Sequence, residues 1–295
     1  EERGGFDNGQ MVKTAACQVK LEPGKLYRFK VTAFNKGGES FPSETLSALY
    51  NPNAKKTVLV VNNFHRLASP QVIDNATEQG FDLDADPGVS YGLTAGWSGK
   101  QKVFNKSRMG DESENGLGYC GNEMIGQFVA GNDFNYTCEH ASAIAATQKY
   151  NIASCSSEAI ISGKVDMKHY TVVDLINGLE RYDGYTPEYY KSFSPSLMNR
   201  LQNYAVQGGR LFVSGSYLGS DMQTTEEKAF LANTLKVAYA PNDSIAPTAD
   251  VEGLGLKFNY DNTLNETHYA ATHPEILLPA TDHAICAMQY ESGCL

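Results

Sequence analysis

The stretch Gly208-Gly209-Arg210-Leu211-Phe212-Val213-Ser214-Gly215-Ser216-Tyr217-Leu218-Gly219-Ser220-Asp221 most constrains the fold. An amphipathic run, residues 195–207, leads into it with Leu197, Leu201 and Tyr204 on one side. Ser194 fits the N-cap of that helix, and Gly208-Gly209 fits its C-terminal stop. A short apolar run over 210–215 follows, then a turn of small residues, then a polar segment able to open another helix. Helix, strand, tight turn and helix N-terminus in that order make the site-bearing corner of an open α/β sheet.

The rest of the chain extends the same rhythm. Thr57-Val58-Leu59-Val60-Val61-Asn62-Asn63 is a continuous, mostly β-branched run, as expected for a strand buried on both faces. Its polar end, Asn62-Asn63-Phe64-His65-Arg66, belongs at the carboxyl edge of the sheet. Residues 139–150 read as a helix, with Ala141, Ile144, Ala145 and Gln148 at helical spacing, and 151–156 as a short strand. Residues 169–176 form another strand, ending in Asn177-Gly178-Leu179-Glu180. Residues 226–235 read as a helix and 236–240 as a strand. This alternation predicts a mostly parallel sheet with right-handed crossovers. Residues 250–295 read as shorter strands and loops, with a strand over 284–290, and the stop soon afterwards points to a truncated chain.

Residues 66–125 interrupt the rhythm. They are rich in Gly, Asp, Asn and Ser, and a loop of this length is a functional cover or an inserted element. Asp82-Leu83-Asp84-Ala85-Asp86-Pro87-Gly88 has the look of a calcium loop. Its glycine falls one place late, and Leu93 stands where a bidentate Glu is required, so a solvated turn is the better reading.

Composition excludes several function classes. The net charge is −10 with no cluster of Lys and Arg, which argues against a nucleic-acid backbone as partner. No apolar run approaches the roughly 18–20 residues that span a bilayer. Six cysteines (Cys17, Cys120, Cys138, Cys155, Cys286 and Cys294) include no C-x-x-C pair, so zinc ribbons and thioredoxin-like chemistry are disfavoured. An even count permits three disulfides in any of fifteen pairings, while the plainer reading is buried free thiols plus one bridge. With 17 Tyr, 27 Gly and only 20% charged residues, the mixture suits a sheet-rich, extracytoplasmic protein. Five N-x-S/T sequons begin at Asn75, Asn105, Asn135, Asn242 and Asn265, and they matter only in a secreted eukaryotic protein. The first residues, Glu1-Glu2-Arg3, lack an initiator Met, as expected of a mature or trimmed form.

The first fifty residues have a different texture. Leu21-Glu22-Pro23-Gly24 is a turn, and Tyr27, Phe29, Val31 and Ala33 then alternate with Arg28, Lys30 and Thr32, predicting a half-buried strand. Asn35 to Ser40 is a turn, and residues 47–50 read as a short closing strand. The L-x-P-G-x-x-Y-x-F-x-V-x-A-x-N run resembles the second half of a fibronectin type III domain, with Tyr27 at the tyrosine-corner position. The resemblance covers about residues 12–50, whereas a whole sandwich needs about 100 residues. A fragment of a longer chain is therefore expected.

The order from Val58 to Tyr239 resembles the flavodoxin-like sheet of class I glutamine-amidotransferase-like domains. Paired with a fibronectin module, it is similar to secreted proteins of gut bacteria labelled xanthan-lyase-like or N-acetylmuramoyl-L-alanine-amidase-associated. The residues that carry this are Val58-Leu59-Val60-Val61-Asn62, Asp86 to Gly92, Ala130 to Tyr136, Tyr170 to Ile176 and the Gly208 to Asp221 stretch. The resemblance implies a partial fibronectin module over 1–52, an amidotransferase-like domain over 55–295 with its insertion near 66–125, and further domains in a longer chain. It also places Tyr217 where that family has its nucleophilic Cys, and a phenol of pKa about 10 is a poor substitute for a thiol. His273-Pro274-Glu275 copies the family's His-Pro-Glu tripeptide.

The expected crevice is lined by Asn63, His65, Asn177, Glu180, Ser216 and Tyr217 at strand carboxyl ends. Abundant Tyr, Trp97 and amide side chains suit a glycan or cell-wall fragment, since rings supply an apolar platform and Asn, Asp and Glu satisfy hydroxyls. No G-x-G-x-x-G follows strand 57–63 and no Walker A lysine occurs, so no cofactor is expected. No metal ligand set is expected either. The leading expectation is an accessory or binding module of a secreted bacterial protein acting on polysaccharide or cell-wall glycan, without glutaminase activity. The alternative is a hydrolase or lyase using Ser216, His273 and Glu275 as its catalytic groups.

Overall fold

A computed structural model describes residues 6, 9–40, 43–64, 71–74, 76–82, 95–97, 103–105, 128–130, 135–182, 190–240, 250–260, 271, 274–290 and 293–294. The architecture is mixed α/β, a multi-stranded sheet flanked by helices. Two compact units divide the chain: Glu1–Asn62, Phe134–Leu175 and Gly209–Phe212 form one, and Asn63–Asp133, Ile176–Gly208 and Val213–Leu295 the other. Residues 83–88 of the calcium-like loop, most of the 66–125 insertion, His65 and His273 lie outside the described residues.

Most of the six-stranded sheet belongs to the first unit. Its order is Leu26–Phe29, Leu46–Leu49, Asn151–Ser156, Thr57–Asn62, Val172–Gly178 and Leu211–Gly215. Asn151–Ser156 runs parallel to Thr57–Asn62 from Asn151↔Thr57 to Ser156↔Asn62. Val58, Val60 and Val61 are buried, as a run apolar on both faces requires. The amide of Thr171 donates to the Thr57 carbonyl at 2.9 Å, and that of Val173 to Arg210 at 2.9 Å, which continues the ladder toward the last strand. Phe212 on that end strand is 58% exposed.

Two strands of the first fifty residues join this sheet. Leu26–Phe29 and Leu46–Leu49 pair antiparallel, and Leu49 faces Ile152 across the next junction. Ser154 Oγ accepts from the Ser47 amide at 2.6 Å and donates to the Ser47 carbonyl at 2.7 Å. Tyr27 Oη accepts from the Glu22 amide at 3.3 Å, a local tie across the preceding turn. The alternation expected through Ala33 stops earlier, because Val31 is 69% exposed and lies beyond the end of the strand. Its amide and carbonyl turn instead to Ser43, at 3.0 and 2.9 Å.

The helix expected over 139–150 spans Tyr136–Ala146 and buries Thr137, Cys138 and Ala141. It lies against Leu46–Leu49, Thr57–Asn62 and Asn151–Ser156. Its first residues are held by Thr45, whose Oγ1 donates to Asn135 Oδ1 at 2.5 Å and whose carbonyl accepts from Thr137 Oγ1. The Asn135 sequon side chain is therefore buried and hydrogen-bonded. His140 reaches from this helix to Asp174, with Nδ1 2.8 and 3.1 Å from the two carboxylate oxygens. Cys17, Cys138, Cys155 and Cys286 are unbridged, and burial pushes the Cys155 thiol up to about 12.

In the second unit, Pro195–Val206 is the helix read from the sequence, with Leu197, Leu201 and Tyr204 buried. Ser194 Oγ accepts from the Leu197 amide at 3.3 Å. Gly208 adopts φ +85°, the left-handed turn that ends such a helix and favours glycine. Thr225–Phe230 opens with a capping box between Thr224 and Glu227, then widens into a π turn over Leu231–Leu235. The strand Val237–Ala240 follows and pairs antiparallel with Ile276–Pro279. A four-stranded antiparallel sheet is built from Asp250–Gly253, Leu256–Asn259, Met288–Tyr290 and Gly293–Cys294. Among the described residues no helix is long and apolar enough to cross a membrane.

Lys191 and Glu227 form a buried pair, with Nζ 2.5 Å from Oε1. Burial raises the Glu227 carboxyl, but hydrogen bonds from Lys191 and from the Thr224 and Gln223 amides outweigh it and hold the group below the ordinary carboxylate range. Its contribution to stability is thus present above the unfolded carboxylate value and is lost as pH falls through the native one. Lys191→Met is expected to cost about 3–5 kcal/mol, since it leaves a buried carboxylate unpaired. Adding Glu227→Leu should recover most of that loss, and urea denaturation of both variants at neutral pH measures it.

Candidate functional site

The carboxyl ends of Val172–Gly178 and Leu211–Gly215 stop side by side in the second unit, where the Ser216 amide donates to the Gly178 carbonyl at 2.9 Å. The amide of Asn63, one residue past Thr57–Asn62, donates to the Ile176 carbonyl at 2.9 Å. Three strand ends therefore bring Asn63, Asn177 and Ser216 to one edge. The approach is close enough to require glycine: a methyl on Gly215 would lie 2.7 Å from Asn177 Cβ and 3.3 Å from the Gly178 carbonyl oxygen.

Four of the expected ligand-binding residues meet here, though mostly facing inward. Asn63, Asn177 and Glu180 are buried, Asn177 completely. Asn63 Nδ2 donates to Asn177 Oδ1 at 2.6 Å and to the Ser192 carbonyl at 2.8 Å. Ser192 is the residue that sequence reading missed. Its Oγ lies 2.8 Å from the Glu180 carbonyl and 3.0 Å from the Tyr217 carbonyl, and its amide donates to Asp221 Oδ2 at 2.8 Å. The other Asp221 oxygen accepts from the Tyr182 amide at 3.0 Å. One buried serine thus ties together the ends of two strands and the turn after the second. The only sequence trace of it is its position two residues before the Ser194 N-cap.

Glu275 closes the corner. Its Oε2 accepts from the Gly219 amide at 2.7 Å, and its carboxylate also accepts from the Ser220 amide and the Ser220 hydroxyl. Burial raises this carboxyl above the ordinary range; the Ser220 and Gly219 hydrogen bonds oppose the shift and the nearby Asp221 charge adds to it. Ser216 is half-buried, and its amide is bonded to Gly178 rather than aimed at a ligand. Of the three expected catalytic residues, Ser216 and Glu275 are placed at this corner, while His273 lies outside the described residues.

The outward side of the corner is aromatic and cationic. The Arg181 guanidinium carbon sits 4.6 Å from the centroid of the Tyr217 ring. The neighbouring Tyr182 is 44% exposed. Among the described residues, no group of three or more His, Cys, Asp and Glu side chains is placed to hold a metal ion. A separate depression of about 510 Å³ lies on the four-stranded sheet, lined by Asp250, Glu252, Lys257, Cys286, Gln289 and Tyr290. None of the expected site residues lines it, and Glu252 stands directly across from Lys257, which leaves Asp250 as the unmatched charge of its lining.

Two measurements test this geometry. Gly215→Ala should destabilise the protein by roughly 1–3 kcal/mol, because the Asn177 carbon it meets is rooted in the backbone. For Glu275, the raised native value means the folded state holds its proton while the unfolded chain, titrating near 4.3, releases it. Stability should therefore fall as pH rises from the unfolded value through the native one. Glu275→Gln should lack that decline, as urea midpoints between pH 4 and 7 would record.

No family model, curated protein or solved structure matches the chain, so its functional reading rests on these residues.

Proposed function

We propose that the chain is an accessory, glycan-binding module of a secreted bacterial protein that acts on polysaccharide or cell wall outside the cytoplasm. One observation carries this reading. The turn after Leu211–Gly215 gives its Gly219 and Ser220 amides and its Ser220 hydroxyl to the chain's own Glu275, while Tyr182 and the Arg181–Tyr217 stack border the same corner. A hydrolase acting through Ser216 would need donors aimed at a developing oxyanion and a base on its hydroxyl. Donors already taken up by Glu275 are not available to an oxyanion.

The outer surface suits binding. An exposed tyrosine ring offers the apolar face of a sugar a flat partner at low conformational cost. The backbone of Tyr217 is fixed, because its carbonyl is held by Ser192. The phenol in place of a reactive sulfur at this turn fits the same role. The resemblance to secreted gut-bacterial proteins supplies the setting in which such a module would be useful.

The purified chain should be retarded in gels containing polysaccharide or bound by peptidoglycan, with no release of reducing ends or unsaturated products. Tyr182→Ala should weaken binding by roughly 1–2 kcal/mol, about tenfold in Kd. Turnover by this chain that disappears in Ser216→Ala would replace the reading with the hydrolase or lyase alternative.

A further inference from the structure

Arg181 is half-buried, in a chain whose 34 acidic residues outnumber its 24 basic ones. Among the described residues its guanidinium nevertheless has no carboxylate partner, and its contact is with the face of Tyr217. Acidic neighbours are close at hand and committed elsewhere. Asp221 accepts from the Tyr182 and Ser192 amides, and Glu275 from Gly219 and Ser220. The ring fixes the plane of the guanidinium without using its N–H donors, which form a rigid fork matched to a carboxylate. Beside it stands the 44% exposed Tyr182.

We infer that this corner recognises a carboxylate-bearing saccharide, a uronate-type sugar, with Arg181 holding the carboxylate and the Tyr182 and Tyr217 rings contacting the sugar. This deepens the glycan-binding reading and rests on it. The ring-backed guanidinium supplies the charge selectivity, and the aromatic surface supplies affinity that a neutral sugar shares. The contact is charge-assisted and bidentate, so removing it should affect acidic ligands far more than neutral ones.

Calorimetry of the full chain with an oligogalacturonate and with its carboxyl-reduced, neutral counterpart tests this. The wild-type protein is expected to bind the acidic oligomer at least tenfold more tightly. Arg181→Met should abolish the preference by weakening the acidic oligomer far more than the neutral one, with circular dichroism reporting that the variant is folded. Arg181→Lys should restore only part of the preference, because an ammonium lacks the planar fork. Equal affinities in the wild type, or a preference that survives Arg181→Met, would overturn the inference and leave glycan binding standing. A short acidic peptide bound as tightly as the oligogalacturonate would overturn the saccharide assignment. Binding of neither oligomer would remove the glycan reading and this inference with it.

Discussion

The interaction on which the corner depends is the hydrogen bonding of Ser192. Where a strand leaves a sheet, its last carbonyls lose their ladder partners, and a buried carbonyl without a donor costs roughly 1–3 kcal/mol. Glu180 and Tyr217 each present such a carbonyl to the Ser192 hydroxyl, and the Ser192 carbonyl and amide answer Asn63 and Asp221. A hydroxyl has one proton, so its two carbonyl contacts share or alternate a single donor. Every polar group of this fully buried residue is engaged. That closure fixes the backbone that carries the exposed Tyr182 and the half-buried Tyr217.

The same economy separates two kinds of polar residue that look alike in a sequence. Asn63, Asn177 and Glu180 stand at strand ends, where ligand-binding groups are expected, and the structure turns them inward as a polar core. Arg181 and Tyr182, immediately after Glu180, reach the outer surface instead. Of the three, Asn63 serves a stranded backbone group, the Ser192 carbonyl, and its other bond goes to the Asn177 side chain.

What could be read in the sequence follows from which forces are local. The helix Pro195–Val206, its Ser194 cap and its Gly208 stop depend on neighbours within a few residues, and all three appear as read. The apolar run Thr57–Asn62 identified itself by being buried on both faces. The partners of Ser192, Asp221 and Glu275 were not legible, because each contact crosses from 12 to 129 positions of chain with no periodicity to announce it. The pairing of Leu46–Leu49 with Asn151–Ser156 was hidden for the same reason. Val31 shows the converse: alternation promised a buried face, but burial needs a second surface to pack against, and pattern alone cannot supply one.

Charge sharpens the argument about the ligand. With a net charge of −10, the chain as a whole repels anions, so long-range steering cannot favour an acidic partner. At physiological ionic strength that repulsion fades over roughly 8 Å, whereas a ring-backed guanidinium acts at contact distance and partly out of water. Recognition of an acidic saccharide at Arg181 would then be short-ranged, with association slower than the electrostatically assisted case and selectivity expressed in the lifetime of the complex. Such a surface would discriminate by fit rather than by attraction, with the backbone behind Tyr217 held by its hydrogen bond to Ser192 as backing.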